Sequence, residues 1–261
     1  MRADAPAVVK LGGSLLENDA ARAAVVWAIA RRWRAGERIV LVHGGGKRID
    51  AELAARGIPR RIHEGLRVTD GPTLAVVVAV LSGPVNAGLV RELTACGADA
   101  VGLCAADGDL RAERHPPVGG VDLGCVGVVS AVDPGRLETL LAAGRLPVVA
   151  PLASGPGGGR LNVNADAAAA AIAAAVGAHR LLFLTDVEGV ADEAGRLRSR
   201  LDPPEALRLL DGTAISGGMR PKLAACLAAA RAGVREVIIA GPGRREAALA
   251  GGPGGTALVT A

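Results

Sequence analysis

The stretch Ala7-Val8-Val9-Lys10-Leu11-Gly12-Gly13-Ser14 decides how the rest of the chain is read. Ala7-Val8-Val9 predicts a short strand that stops at Lys10-Leu11-Gly12-Gly13-Ser14. A lysine at the end of an apolar strand is costly unless it has an anionic partner. Two glycines beside it let the backbone approach an anion closely, and the amides of a following helix would point at that anion. The same punctuation returns downstream. Residues 38–42 predict a buried strand ending on His43-Gly44-Gly45-Gly46, and 47–56 return as a helix. Between them, 19–35 read as a helix capped by Asn18 or Asp19 and closed by Gly36. Strand and helix alternation argues for an α/β fold with a mainly parallel sheet covered on both faces. Ligands in such sheets sit beyond the carboxyl ends of the strands, where both glycine turns fall.

Outward from this unit, 72–95 predict a long helix kinked at Gly83-Pro84. Residues 99–103 and 146–150 predict further central strands, and the Gly- and Pro-rich 107–129 predict hairpins over one edge. A second set follows the alanine-rich helix 165–176. It holds a strand over 180–184 leading into Thr185-Asp186-Val187-Glu188-Gly189, helices over 204–210 and 219–232, a strand over 236–239, and an edge strand over 256–259. No repeat of 20–50 residues is present. Two lobes, 1–176 and 177–261, are expected to divide near Gly177, with no flexible linker between them.

Composition narrows the function classes. Half of the 261 residues are hydrophobic and 21% are charged, which excludes a disordered chain. The net charge is only +4 with no dense basic block, and Phe183, Trp27 and Trp33 are the only aromatics. Nucleic acid is therefore not an expected partner. Cys96, Cys104, Cys125 and Cys226 are widely spaced and read as small buried hydrophobes of a reducing compartment. The amino terminus lacks the apolar stretch of a secretory signal. The alanine run 167–178, 12 residues long, is too short to span a bilayer. A cytoplasmic enzyme with no membrane association is expected.

Common catalytic signatures do not fit. Gly46-Lys47 resembles the end of a P-loop, but Arg48 replaces Ser/Thr and Leu41 stands where the first glycine belongs. A G-x-S-x-G elbow is absent. The charges at the turns are more telling. Asp166 opens an apolar helix after Asn162-Val163-Asn164-Ala165, and a first-turn carboxylate also suits the helix dipole. Lys222 follows Gly217-Gly218-Met219-Arg220-Pro221 at a helix start, where the dipole disfavours a cation. Arg67, in Gly65-Leu66-Arg67-Val68-Thr69-Asp70, has a fork suited to a substrate carboxylate.

Lys10-Leu-Gly-Gly-Ser, His43-Gly-Gly-Gly, Gly65-Leu-Arg-Val-Thr-Asp, Asn162-Val-Asn-Ala-Asp166, Leu184-Thr-Asp-Val and Gly217-Gly-Met-Arg-Pro-Lys222 occur in one order along nearly the whole chain. In that order the sequence resembles the amino acid kinases, and among them the N-acetyl-L-glutamate kinases. The resemblance implies a three-layer α/β/α sandwich, with an amino-terminal lobe for the amino acid and for dimerisation and a carboxyl-terminal lobe for ATP. It implies transfer of the γ-phosphoryl of ATP, accompanied by Mg²⁺, to the side-chain carboxylate of N-acetyl-L-glutamate in arginine biosynthesis. Lys10 and Lys222 would stabilise the transferring phosphoryl, with Asp166 holding both. Gly12, Gly13, Gly44 and Gly45 would supply amide donors. Arg67 and Asn162 would grip the acceptor, and Thr185, Asp186, Gly189 and Met219 would fall in the nucleotide pocket.

The chemistry is self-consistent, because an acceptor carboxylate is ionised at pH 7 and needs no general base. His43, His63, His115 and His179 accordingly receive structural or solvent roles. Residues 47–67 carry six basic residues, and relatives exist that phosphorylate glutamate or aminoadipate on a small acidic carrier. Docking of an acidic carrier or signalling protein, and a non-catalytic sensor, are the competing readings. Only six residues precede the first strand, which suggests a homodimer with little arginine feedback.

Overall fold

The computed structural model describes residues 5–104, 109–192, 194–212, 215, 217–252 and 254–259. Its centre is an eight-stranded sheet in the spatial order Arg200–Leu201, Thr256–Val259, Glu236–Ala240, Arg180–Leu184, Ala7–Leu11, Ile39–His43, Leu146–Val149, Ala100–Leu103. Ala7–Leu11 lies between Arg180–Leu184 and Ile39–His43, parallel to both, and extends two residues beyond the apolar triplet to include Lys10. Thr256–Val259 runs antiparallel to Glu236–Ala240. It is next to the edge rather than at it, because the two-residue strand Arg200–Leu201 pairs outside it.

Side-chain alternation places helices on both faces, and the central strands are buried throughout, including Lys10, His43 and Arg180. Val9, Leu11 and Leu41 face a core shared with the helices Asp19–Arg34, Gly71–Val80 and Asn86–Ala95. Val8, Val40, Val42 and Phe183 face the other core, shared with Gly135–Ala142, Ala165–Ala175 and Met219–Arg231. Lys10 has the parity of Val8. The sheet therefore aims it at the face where the helices Ala165–Ala175 and Met219–Arg231 begin.

The Gly- and Pro-rich segment does form an antiparallel pair, Leu110–Arg114 with Val126–Val132; Asp107 and Gly108 lie outside the described residues. This pair does not lie over an edge of the main sheet. It closes with Leu152–Ser154 and Arg160–Val163 into a separate four-stranded barrel around Leu110, Ala112, Ala153, Leu161 and Val163. A Cβ on Gly127 would sit 2.9 Å from that of Ala112, so the barrel is too tight for a side chain there.

The most extended apolar helical stretch is Gly71–Ala95, rather than the alanine run, and by length and composition alone it could cross a membrane. It breaks at Gly83 (φ −88°, ψ −107°), beside Pro84, and Val76, Val77, Val80, Leu81, Val85, Leu89 and Leu93 bury one side of it in the first core. The kink is where the Gly-Pro pair places it.

Candidate active site

Register brings the carboxyl ends of three neighbouring strands level: Leu11 pairs with Leu184 on one side and His43 on the other. The ladder continues for one further residue. Gly12 donates its amide to Leu184 O (2.8 Å), Gly44 to Leu11 O (2.9 Å) and Thr185 to Ala240 O (3.0 Å). These bonds correct one expectation, because the amides of Gly12 and Gly44 are committed to the backbone and are not donors for a ligand. Their glycine requirement is steric. A Cβ on Gly44 would lie 3.2 Å from Gly13 N, and one on Gly13 would lie 3.3 Å from Gly46 N. The two turns interlock at backbone contact. Gly45 caps the helix Gly46–Ala55, whose opening amides have no intrahelical acceptor, and a Cβ on it would meet Leu81 Cδ2 at 2.6 Å.

At the rim, three charges converge in the interior. Lys10 Nζ is 2.7 Å from Asp166 Oδ1, and Lys222 Nζ is 3.2 and 3.1 Å from the two oxygens of Asp166. All three residues are buried. Asn164 caps the helix Ala165–Ala175 by accepting from the amides of Asp166 and Ala167, which fixes Asp166 in the first turn. Lys222 occupies the first turn of Met219–Arg231, and its Nζ is 5.6 Å from the centre of the Phe183 ring. Asp166 thus explains the cation at an unfavourable helix end. One carboxylate serves two ammonium groups, leaving the cluster net positive.

Burial pushes the Lys10 ammonium below its ordinary value against the attraction of Asp166, and Lys222 pushes in the same direction as burial. Burial would raise Asp166, but Lys10 and Lys222 outweigh it and hold the carboxyl below the usual range. Asp186, just beyond the strand Arg180–Leu184, is also held low, first by a hydrogen bond from Ser14 and further by Thr185 and Lys222. Its charge acts on Lys10 as well, so Asp186 belongs to the same electrostatic centre.

His43 is fully buried behind the second glycine turn. Its Nε2 faces Asn86 Nδ2 at 3.1 Å, and its Nδ1 faces Gly44 O at 2.8 Å. An acceptor Nε2 and a donor Nδ1–H satisfy both contacts with a neutral ring. Burial, reinforced by Lys10, lowers its pKa to about 4. Between pH 6.5 and about 4 only the unfolded chain takes up this proton, so stability falls as pH falls through that window. We expect a loss on the order of 3 kcal/mol. Urea titrations at stepped pH should show it, and His43→Gln should flatten it.

The predicted acceptor residues form a second group. Asn162 Nδ2 donates to Thr69 Oγ1 (3.1 Å), which donates to Arg67 O (2.7 Å). The Arg67 side chain is 10% exposed and its Nη2 lies 2.5 Å from Asp50 Oδ1. Its Nη1 is buried with no hydrogen-bond acceptor among the described residues. Met219 packs partly buried against the second core. Gly189 (φ 155°) is required by packing, because a Cβ there would lie 2.5 Å from Thr256 Oγ1. The basic run 47–67 is largely neutralised locally: Arg48 pairs with Glu17, Arg56 with Glu52, Arg60 and Arg67 with Asp50, and Arg61 with Asp70.

Sequence reasoning passed over several residues. Arg245 is buried and donates through Nε and Nη2 to Thr185 O, holding the turn that carries Asp186. Asn86 and Thr69 are buried polar groups in apolar surroundings. For Asn86 that contrast was a usable signal, whereas nothing local distinguishes Arg245 from its neighbour Arg244.

Fold and charged centre together are those of an α/β kinase built without a P-loop. The chain belongs to the amino acid kinase family, whose family model matches residues 6–241. It is 45% identical to the acetylglutamate kinase of Solibacter usitatus (strain Ellin6076) over 97% of this chain and 99% of that one. It is 49% identical to the acetylglutamate kinase of Rubrobacter xylanophilus over 85% and 86%, respectively. Among solved structures it is similar to the N-acetylglutamate synthase of Neisseria gonorrhoeae complexed with coenzyme A and N-acetyl-glutamate. That likeness has a TM-score of 0.86 at 26% identity and covers 99% of this chain and 60% of that one.

Proposed function

We propose that this enzyme transfers the terminal phosphoryl group of ATP to the side-chain carboxylate of N-acetyl-L-glutamate, giving N-acetyl-L-glutamyl 5-phosphate. The observation that carries the reading is the pair of buried ammonium groups on one carboxylate at the sheet rim. Two anions must meet there. Coulomb repulsion between acceptor carboxylate and triphosphate is the main obstacle, and fixed cations in a water-poor site remove it without reorganising during the reaction. Lys10 and Lys222 stabilise the negative oxygens of the transferring group, and Asp166 aims both ammonium groups. Gly13 and Gly45 set the backbone path around the phosphates. Thr185, Asp186, Gly189 and Met219 belong to the carboxyl-terminal half, which carries the nucleotide, and 1–176 carries the acceptor.

Among the described residues no three His, Cys, Asp or Glu side chains cluster as a metal cage, and Asp166 is taken up by two lysines. Mg²⁺ therefore fits as an ion carried on the phosphates of ATP, where it would neutralise charge. No step is assigned to it. Names and identities of the relatives support the acceptor, and the local pairing of the 47–67 arginines weighs against a docked acidic carrier. A cytoplasmic homodimer completes the reading.

The test is a panel of acceptors: free N-acetyl-L-glutamate, N-acetylaminoadipate and the carrier-linked forms, read as hydroxamate captured from the acyl phosphate. Turnover of the free acetylated glutamate is expected, and turnover of a carrier-linked acceptor alone would overturn the proposal. Arg67→Ala should raise the KM for the acceptor by about tenfold or more, the scale of one lost hydrogen bond to a charged group, with the KM for ATP unchanged. A selective loss of ATP binding would show that Arg67 serves the other substrate.

A further inference from the structure

Arg67 divides its guanidinium between two environments. Nη2 faces inward to the protein, with Asp50 Oδ1 at 2.5 Å and Gly46 O at 3.3 Å. Among the described residues Nη1 is buried with no hydrogen-bond acceptor, and Asp50 Oδ1 meets Nη2 as a charge contact without hydrogen-bond geometry. A buried, unpaired donor on a cation is costly, so its orientation must be imposed by the other end of the fork. Asp50 is the group in place to impose it. It sits one turn into the helix Gly46–Ala55, directly after the glycine turn, and its second oxygen, Oδ2, is 3.0 Å from Arg60 Nε. Arg60, 59% exposed at its side chain, ties Asp50 from the solvent side and leaves Oδ1 turned to Arg67. The chain of contacts runs from the glycine turn through Asp50 to Arg67, and from Arg67 O through Thr69 to Asn162.

We infer that Asp50 is a positioning residue for the acceptor: it holds Arg67 by Nη2 so that Nη1 is presented to the substrate's own carboxylate. Asp50 does not touch substrate. It also offsets part of the charge of Arg67, so a free guanidinium there would attract anions without discriminating their geometry. The assignment rests on the acceptor role proposed for Arg67, and the variants are chosen to separate the two.

Asp50→Ala, Asp50→Asn, Arg60→Ala and Arg67→Ala are compared in the full chain for the KM of N-acetyl-L-glutamate, the KM of ATP and kcat. Asp50→Ala should raise the acceptor KM about tenfold, with kcat and the ATP KM within twofold. Asp50→Asn keeps the shape and an oxygen beside Nη2 but removes the charge that pairs with it, and should recover only part of the loss. Arg60→Ala should change little. The double variant Asp50→Ala/Arg67→Ala should match Arg67→Ala alone, because the two act as one unit. If Arg67→Ala raises the acceptor KM and Asp50→Ala does not, the positioning role fails and the acceptor role of Arg67 stands. If Arg67→Ala changes nothing, the acceptor reading itself fails. An Asp50→Ala variant that loses ATP affinity, kcat and thermal midpoint together would make Asp50 a structural brace and overturn the inference.

Discussion

Lys10→Ala and Lys222→Ala are each expected to lower kcat by about 100-fold or more, the scale of removing one preorganised charge-stabilising donor from a transition state. Both ammonium groups lie within 3.2 Å of one carboxylate, and neither has a surface role that would explain its burial. Either variant still leaves Asp166 with one lysine, so the fold should survive; matched thermal midpoints would separate loss of chemistry from loss of structure. KM values should move less than kcat, because the interaction strengthens as charge develops on the transferring oxygens. The two effects should not add, since the lysines share one anchor and one group in transit. Lysine-to-arginine replacements should not restore activity: a planar, rigid fork does not reproduce a compact point charge. Near-normal turnover in both alanine variants would remove the centre from the reaction.

The sequence made this centre readable because burying charge is costly. Lys10 at the end of an apolar strand, Asp166 at the head of an alanine helix and Lys222 at a helix start each violate a local preference, and each violation pointed to a partner. What single positions could not show was that the three meet. That follows from the parity of Lys10 in its strand and the parallel pairing of Ala7–Leu11 with Arg180–Leu184, a long-range register. The helix Asp19–Arg34, its Asn18 cap and the Gly83 break were legible because capping and kinking are local. The four-stranded barrel was not. Its strands Leu152–Ser154 and Arg160–Val163 are three and four residues long; they pair with each other locally, but their other partners, which close the barrel, lie tens of positions earlier. The donor role of Gly12 and Gly44 failed for a related reason, because the composition of a glycine turn does not reveal which amides the sheet has already taken.

Asp166→Ala should be the most damaging single change to stability as well as to rate. It leaves two buried ammonium groups without the carboxylate that contacts both, with Asp186 acting on them only from beyond contact, and breaking a buried ion pair from one side costs about 3–5 kcal/mol. Lys10 shows how the molecule would respond. Burial already lowers its proton affinity and Asp166 is the main force opposing that, so the variant should lower it further and weaken the positive end of Lys10. Asp166→Asn isolates the charge from the shape: the amide fits the site and keeps an oxygen acceptor, yet cannot stabilise both cations.

The pH dependence carries a definite sign. The carboxyl of Asp166 is held below its ordinary value in the folded chain, so its contribution is complete above the unfolded value near 4 and is lost as pH falls through the folded value. Urea titrations of the parent should therefore show an acid-side loss continuing below the His43 window. In Asp166→Asn that lower loss should shrink by the share of Asp166, leaving the part due to Asp186 and other lowered carboxylates, while the His43 loss between 6.5 and about 4 remains. A variant as stable as the parent at pH 7, with an unchanged acid limb, would mean that the two lysines do not depend on this carboxylate.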